Sequence, residues 1–217
     1  IDLYYLHRLH EKVPVEEVAQ VMGRLIGQGL IRGWGLSQVT AETLRRAQQV
    51  TPLAAVQNLY SMVERDCEKE VFPYCLENQI GVVPFSPIAS GLLSGKVTAD
   101  TKFEGDDVRK FVPQLSKENL EANQPIVTLL GEFARQKGAT PAQISLAWML
   151  HKYPNVVPIP GSKNQTRFLE NLGGAQVALT KKEFEELETA LNACTVYGHR
   201  GNEESEGKTF SNHWREK

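Results

Sequence analysis

The sequence predicts an α/β fold built on a parallel sheet, and three observations carry that expectation. Short apolar runs alternate with longer stretches of helical period from the first residue to about residue 195. Each apolar run exits into polar or aromatic residues, as strands do where an α/β fold gathers its ligands. Neither a linker nor an internal repeat divides the 217 residues, so one domain, 1–217, is the simplest organisation, with an irregular tail from Tyr197.

The elements follow in order. "IDLYYLH" reads as the first strand, and Val18, Val21, Met22, Leu25 and Ile26 fall on one helical face before "GQG" ends the helix. "LIRGWGLS" is the second strand; Leu44, Ala47 and Val50 mark a short helix stopped at Pro52, and "LAAVQ" is the third strand. A helix over roughly 66–79 leads into "IGVVPF", the fourth. About thirty residues rich in Ser, Gly, Pro and charge follow, far longer than the usual ~4–6-residue connection. Ile126, Leu129, Leu130, Phe133 and Ala134 then share a helical face. "TPAQ" offers Thr140 as N-cap, Pro141 at N1 and Gln143 to close a capping box. "VVPIPGS" reads as the fifth strand, a helix runs through "RFLENL", and Thr180 with Glu183 caps a last helix carrying Phe184, Leu187 and Leu191. Five parallel strands suit an open doubly wound sheet or part of a (β/α)8 barrel, and periodicity does not choose between them.

Composition narrows the function classes. A formal net charge of −2, with both signs interspersed, gives no electrostatic case for a nucleic-acid or membrane-surface partner. Cys67, Cys75 and Cys194 are odd in number and lack CxxC spacing, which argues against a disulfide framework and a zinc cluster and suits a reducing, cytoplasmic setting. No apolar run approaches the ~20 residues that span a bilayer.

The exits hold the candidate chemistry: His7, "GLS" at 35–37, "QNLYS" at 57–61, "FSPIASGLLSGK" at 85–96 and "IPGSKNQTRFLEN" at 159–171. Two nucleotide motifs fail. "GWGLSQ" has Gln38 where the dinucleotide fingerprint needs a third glycine, and "GLLSGK" is one residue short of a P-loop and ends before Val97 rather than a hydroxyl. "GSKNQTR" follows a strand and opens a helix, so backbone N–H groups with Lys163 and Arg167 suit a phosphate; an ordinary N-cap with two solvated cations suits the spacing equally. Phe85 is a stacking platform for a flat ring or a core aromatic.

Taken together, "LYYLHR", "GLS", "VQNLYSMVER", "PFSPIASGLLSGK" and "VVPIPGSKNQTRFLENL", in this order and at these separations, closely resemble the second half of the aldo-keto reductases, over residues 1–195. The resemblance selects the barrel: the C-terminal part of a (β/α)8 TIM barrel, binding NADPH without a Rossmann fingerprint. It implies an oxidoreductase that reduces a small-molecule aldehyde or ketone by hydride transfer. By the same resemblance His7 is catalytic, hydrogen-bonding the substrate carbonyl. Ser37 and Gln57 hold the nicotinamide carboxamide, and Phe85 stacks on its ring. Ser86, Ile88, Gly91 and Lys96 wrap the pyrophosphate. Gly161, Ser162, Lys163, Arg167, Glu170 and Asn171 form the adenosine and 2′-phosphate site, where charge favours NADPH over NADH.

The departures are specific. Gln38 stands where the family usually has Asn or Glu, and "HRLH" replaces "HRVD", with His10 read as a loop histidine and no metal expected. The family's Asp, its general-acid Tyr and the Lys that lowers the Tyr pKa precede the strand that "IDLYYLH" resembles. No residue here is assigned to those roles, Tyr4 and Tyr5 included. The expectation is therefore a segment of a longer protein with weak or no carbonyl reduction on its own, and open barrel edges that self-associate. Substrate choice is expected in the loop 86–115 and the tail 197–217, with Phe210 and Trp214 as apolar contacts against a background of plain disorder. The competing reading is a non-catalytic NADPH-binding regulatory protein, like the family's channel β-subunits.

Overall fold

The computed structural model describes residues 1–201. Four strands, β1 (Leu3–Leu6), β2 (Gly33–Ser37), β3 (Ala55–Gln57) and β4 (Gly81–Val82), lie side by side in chain order, all parallel. The register pairs Leu3 with Gly33, Tyr5 with Gly35, Gly35 with Ala55, Ser37 with Gln57 and Ala55 with Gly81. Side chains alternate along a strand, so this register gives the sheet two unlike faces. One carries Trp34, Leu36, Val56 and Val82, buried against the helices. The other carries Leu3, Tyr5, Gly33, Gly35, Ala55 and Gly81, small residues around one large ring. At Gly35 the fit is tight: a Cβ there would lie 2.6 Å from the Ala55 carbonyl oxygen and 2.7 Å from Tyr5 Cδ1.

The helices α1 (Val15–Gly27), α2 (Ala41–Val50) and α3 (Val71–Glu77) return the chain between these strands. Trp34, with no exposed surface, anchors β2 beneath them, its indole N–H donating to the carbonyls of Thr51 and Pro52 at 3.3 and 3.0 Å. The helix expected over 66–79 is divided into a 3-10 turn, Asp66–Glu68, and α3, where Pro73 sits in the first turn and so breaks no internal bond.

One further expectation needs correction. "VVPIPGS" forms no regular strand: it makes a single parallel bridge, Val82 to Val156, extended by Val157 N–H to Val82 O and Ile159 N–H to Pro84 O. Pro158 and Pro160 alternate with these donors and leave the outer edge short of N–H groups. The long stretch after Phe85 is ordered by 3-10 turns at Ala89–Ser94, Val108–Phe111 and Pro113–Leu115, and by the short helix α4 (Lys117–Ala122), which has too few apolar positions for periodicity to reveal. Helices α5 (Gln124–Lys137), α6 (Pro141–Lys152), α7 (Gln165–Gly173) and α8 (Lys181–Asn192) complete the order, with both capping boxes, Thr140/Gln143 and Thr180/Glu183, formed.

A largely buried charge cluster ties the far end of the chain to the exit of β3. Glu68 and Glu188 share Arg65 and Lys152, with Lys152 Nζ 2.9 Å from Glu68 Oε1 and 2.7 Å from Glu188 Oε1. The Tyr60 hydroxyl donates to Glu68 at 2.6 Å, and the Trp148 indole N–H to Glu188 at 2.7 Å. Burial alone would raise both carboxyls, but the hydrogen bonds from Arg65, Lys152, Tyr60 and Trp148 outweigh it, and both end below the ordinary 4.5.

Gly35→Ala is expected to lower stability by about 2–3 kcal/mol in urea denaturation, because neither the Tyr5 ring nor the Ala55 carbonyl can retreat without disturbing the register. Glu188→Gln is expected to cost about 3 kcal/mol at neutral pH by leaving buried cations short of a counter-charge. Carboxyls depressed in the folded state stabilise it above their unfolded value and lose that contribution as pH falls through the folded value. Wild-type stability should therefore decline below about pH 4.5, and Glu188→Gln should decline less steeply. Parallel pH dependences would contradict the assignment.

Candidate active site

The small-residue face ends in functional groups. Ser37 lies two positions past Gly35 and Gln57 is its register partner, so both fall on this face at the carboxyl ends of the strands, while His7 follows the end of β1 beside them. Phe85 continues the row through its parallel bridge to Leu59, with Phe85 N–H donating to Asn58 O at 3.2 Å. His7 is exposed, Ser37 buried, and Gln57 and Phe85 half-buried.

This row is held from beneath by Asn58, whose buried amide accepts from Val39 N–H at 3.1 Å and donates to Val39 O at 2.8 Å. Gln38, the departure from the family pattern, has φ 55° and accepts from Leu59 N–H at 2.8 Å. Its side chain thus braces the β3 exit. Cys67, buried below Asn58, has its thiol pushed up to about 12 by burial, which leaves it unreactive at neutral pH.

Next to the row, the chain from Ser86 to Gly91 makes a contorted turn, with Ser86, Ala89, Ser90 and Gly91 at φ 52°, 47°, 55° and 107°. Three non-glycine residues there sit in the left-handed region, a conformation retained where surroundings enforce it, often at binding sites. A Cβ at Gly91 would lie 2.8 Å from Val97 Cγ2. Lys96 is drawn away from this turn into an ion pair with Glu170, Nζ to Oε2 2.8 Å, so two residues expected at different ends of a cofactor are joined to each other. The pairing holds the Glu170 carboxyl below its ordinary value.

The remaining residues cluster at the start of α7. Asn164 caps it, accepting from Arg167 N–H at 3.2 Å, and Ser162 bonds to both the N–H and the carbonyl of Asn164. Gly161, Ser162, Lys163 and Arg167 are exposed, Glu170 and Asn171 half-buried. Among the described residues neither Lys163 nor Arg167 is in an ion pair, although Lys163 lies close enough to Asp107 to help hold that carboxyl, after Arg109, at about 2. Two uncommitted cations at a helix start are what an incoming phosphate requires.

Sequence reasoning missed two arginines. Arg8 Nη1 donates to His7 O at 2.6 Å and to Ser37 Oγ at 3.0 Å, joining the first two exits; its place beside His7 in the sequence is the one signal that pointed to it. Arg200 Nε donates to Ser86 Oγ at 3.1 Å across 114 residues, a contact no local pattern announces. Residues 197–200, expected as irregular tail, are therefore fastened to the site; Phe210 and Trp214 lie outside the described residues. Among the described residues no three potential ligands form a metal cluster, and no helix is long and apolar enough to cross a membrane.

The Aldo/keto reductase family model matches residues 1–216. The chain belongs to the aldo/keto reductase family. Probable aldo-keto reductase 1 of Glycine max is 36% identical over 200 residues, which is 92% of this chain and 58% of that protein. The structure of the glycerol dehydrogenase AKR11B4 from Gluconobacter oxydans superposes with a TM-score of 0.80 at 27% identity, covering 90% of this chain and 59% of that one. The thermostable aldo-keto reductase Tm1743, in complex with the inhibitor epalrestat, gives 0.68 at 27% identity, over 88% and 60%. The chain thus spans somewhat more than half the length of these relatives, with the parallel α/β architecture of their TIM barrel.

Proposed function

We propose that the protein is an NADPH-dependent reductase of a small aldehyde or ketone, with the chemistry at the row His7, Ser37, Gln57 and Phe85. The observation that carries the reading is the register: two adjacent parallel strands and the segment that continues β4 bring a hydroxyl, a carboxamide and an aromatic ring onto one face of the sheet, with His7 directly after the end of the neighbouring strand. A donor and acceptor pair beside a flat ring fits a nicotinamide, and the uncommitted Lys163 and Arg167 at the capped start of α7 fit a 2′-phosphate. Bound, the dinucleotide supplies hydride to the carbonyl carbon.

The chain's own residues set the stage for that transfer. Ser37 and Gln57 fix the carboxamide, and Phe85 fixes which ring face is presented. His7, exposed at the rim, hydrogen-bonds the substrate oxygen and stabilises negative charge developing there. Arg8 holds the His7 carbonyl and the Ser37 hydroxyl, so the two move as one unit. The alkoxide must still take a proton, and the family's Tyr donor has no assigned counterpart in residues 1–217. The substrate itself is set by the 86–115 stretch, which follows the β4 exit, together with the tail from residue 197.

Fluorescence quenching of the intact protein by titrated NADPH and NADH tests the cofactor assignment. Lys163→Ala and Arg167→Ala should each weaken NADPH about tenfold and leave NADH within twofold. Equal losses for both would remove the 2′-phosphate assignment, and no binding by wild type would remove the whole reading. His7→Ala should lower kcat/KM for carbonyl reduction about 100-fold at unchanged NADPH affinity.

A further inference from the structure

Residues 197–200 are held by several hydrogen bonds to distant parts of the fold. The side chain of Asn123, fully buried, accepts from Tyr197 N–H at 3.0 Å and donates to Tyr197 O at 2.8 Å. Gln114 N–H donates to His199 O at 3.1 Å, and Arg200 N–H donates to Glu64 Oε1 at 2.5 Å. Between them Gly198 has φ 73°, and a Cβ there would lie 2.8 and 2.9 Å from the Gln114 backbone, so the strap passes where no larger residue fits. Ordering such a segment costs conformational entropy, and among its results is the position of Arg200.

That position is unusual for a cation. The Arg200 side chain reaches from the strap to the β4 exit, where its Nε meets the Ser86 hydroxyl, and it is half-buried there. Among the described residues no carboxylate lies within ion-pair distance of its guanidinium, whereas the partly buried Arg65 has Glu68 and Glu188. Burial accordingly lowers the Arg200 pKa, partly offset by Glu64. A partly desolvated guanidinium whose charge Glu64 offsets only in part carries a cost, and an anion accepting its remaining N–H groups relieves it. The neighbouring backbone offers more donors: among the described residues the N–H groups of Ser86 and Ile88 donate to no backbone carbonyl.

We propose that Arg200 is a binding residue for the diphosphate bridge of a dinucleotide, acting with Ser86 and the N–H groups of Ser86 and Ile88, and that the strap 197–200 serves to hold it there. This rests on the reading that a dinucleotide occupies the adjacent row. Arg200 belongs to no motif shared with the other cofactor residues. It acts on NADPH and NADH alike, because both carry the same diphosphate.

Binding measurements on the intact protein separate this from a structural role, using NADPH, NADH and adenosine 2′,5′-bisphosphate, which has the 2′-phosphate but no diphosphate bridge. Arg200→Met should raise the Kd of NADPH and of NADH by the same factor, about 10–50-fold, and leave adenosine 2′,5′-bisphosphate within twofold. Arg200→Lys, which keeps the charge and loses the Ser86 bond, should recover part of the loss, and serves if the Met variant folds poorly. Unchanged dinucleotide affinity in both variants overturns the proposal. So does an equal loss for adenosine 2′,5′-bisphosphate, the signature of a distorted fold. If wild type binds adenosine 2′,5′-bisphosphate but neither dinucleotide, or binds none of the three, the cofactor reading falls first and this one with it.

Discussion

The structure depends on the register of four short parallel strands. Because side chains alternate, the pairing Leu3–Gly33 through Ala55–Gly81 decides at once which residues meet the helices and which meet the cleft. A slip of one residue in β2 would turn Trp34 and Leu36 out of the core and put them where Gly35 and Ser37 stand. Gly35 holds the register by admitting the Tyr5 ring at van der Waals contact with bare backbone. Stability and the candidate site thus share one geometric cause, since the tight pairing that buries the apolar face also aligns Ser37 with Gln57.

The second organising feature is the Glu68–Arg65–Glu188–Lys152 cluster. Isolated pairs of this kind often gain little, since desolvation offsets attraction. Here each carboxylate accepts from several donors, including Tyr60 and Trp148, so its remaining lone pairs are used. The cluster spans 123 residues of sequence and fastens α8 to the exit of β3. From α8 the chain continues into the strap that reaches Ser86, so the cluster also sets where that strap begins.

Legibility in the sequence followed locality. The capping boxes of α6 and α8 were readable because each is closed within four residues, and the strand exits because period-two patterning and glycine-bounded runs are local signals. That His7, Ser37, Gln57 and Phe85 follow strand ends was legible from the pattern, whereas the roles proposed for them come from resemblance alone. The fifth strand was over-read: "VVPIP" has the apolarity of a strand but lacks the donors, and it settles for one bridge. The turns between 86 and 115 have no period to detect. Arg8 and Arg200 escaped because a charged residue in a loop looks solvated until the fold supplies its neighbour.

Pro158 and Pro160 have a consequence beyond the loss of regular structure. Val157 and Ile159 point their N–H groups at β4, so the alternate residues 156, 158 and 160 make up the opposite edge of this segment, where only Val156 has a hydrogen to give. That edge is a row of carbonyl oxygens with a net negative face. A strand laid against it must bring its own donors and receives almost none in return.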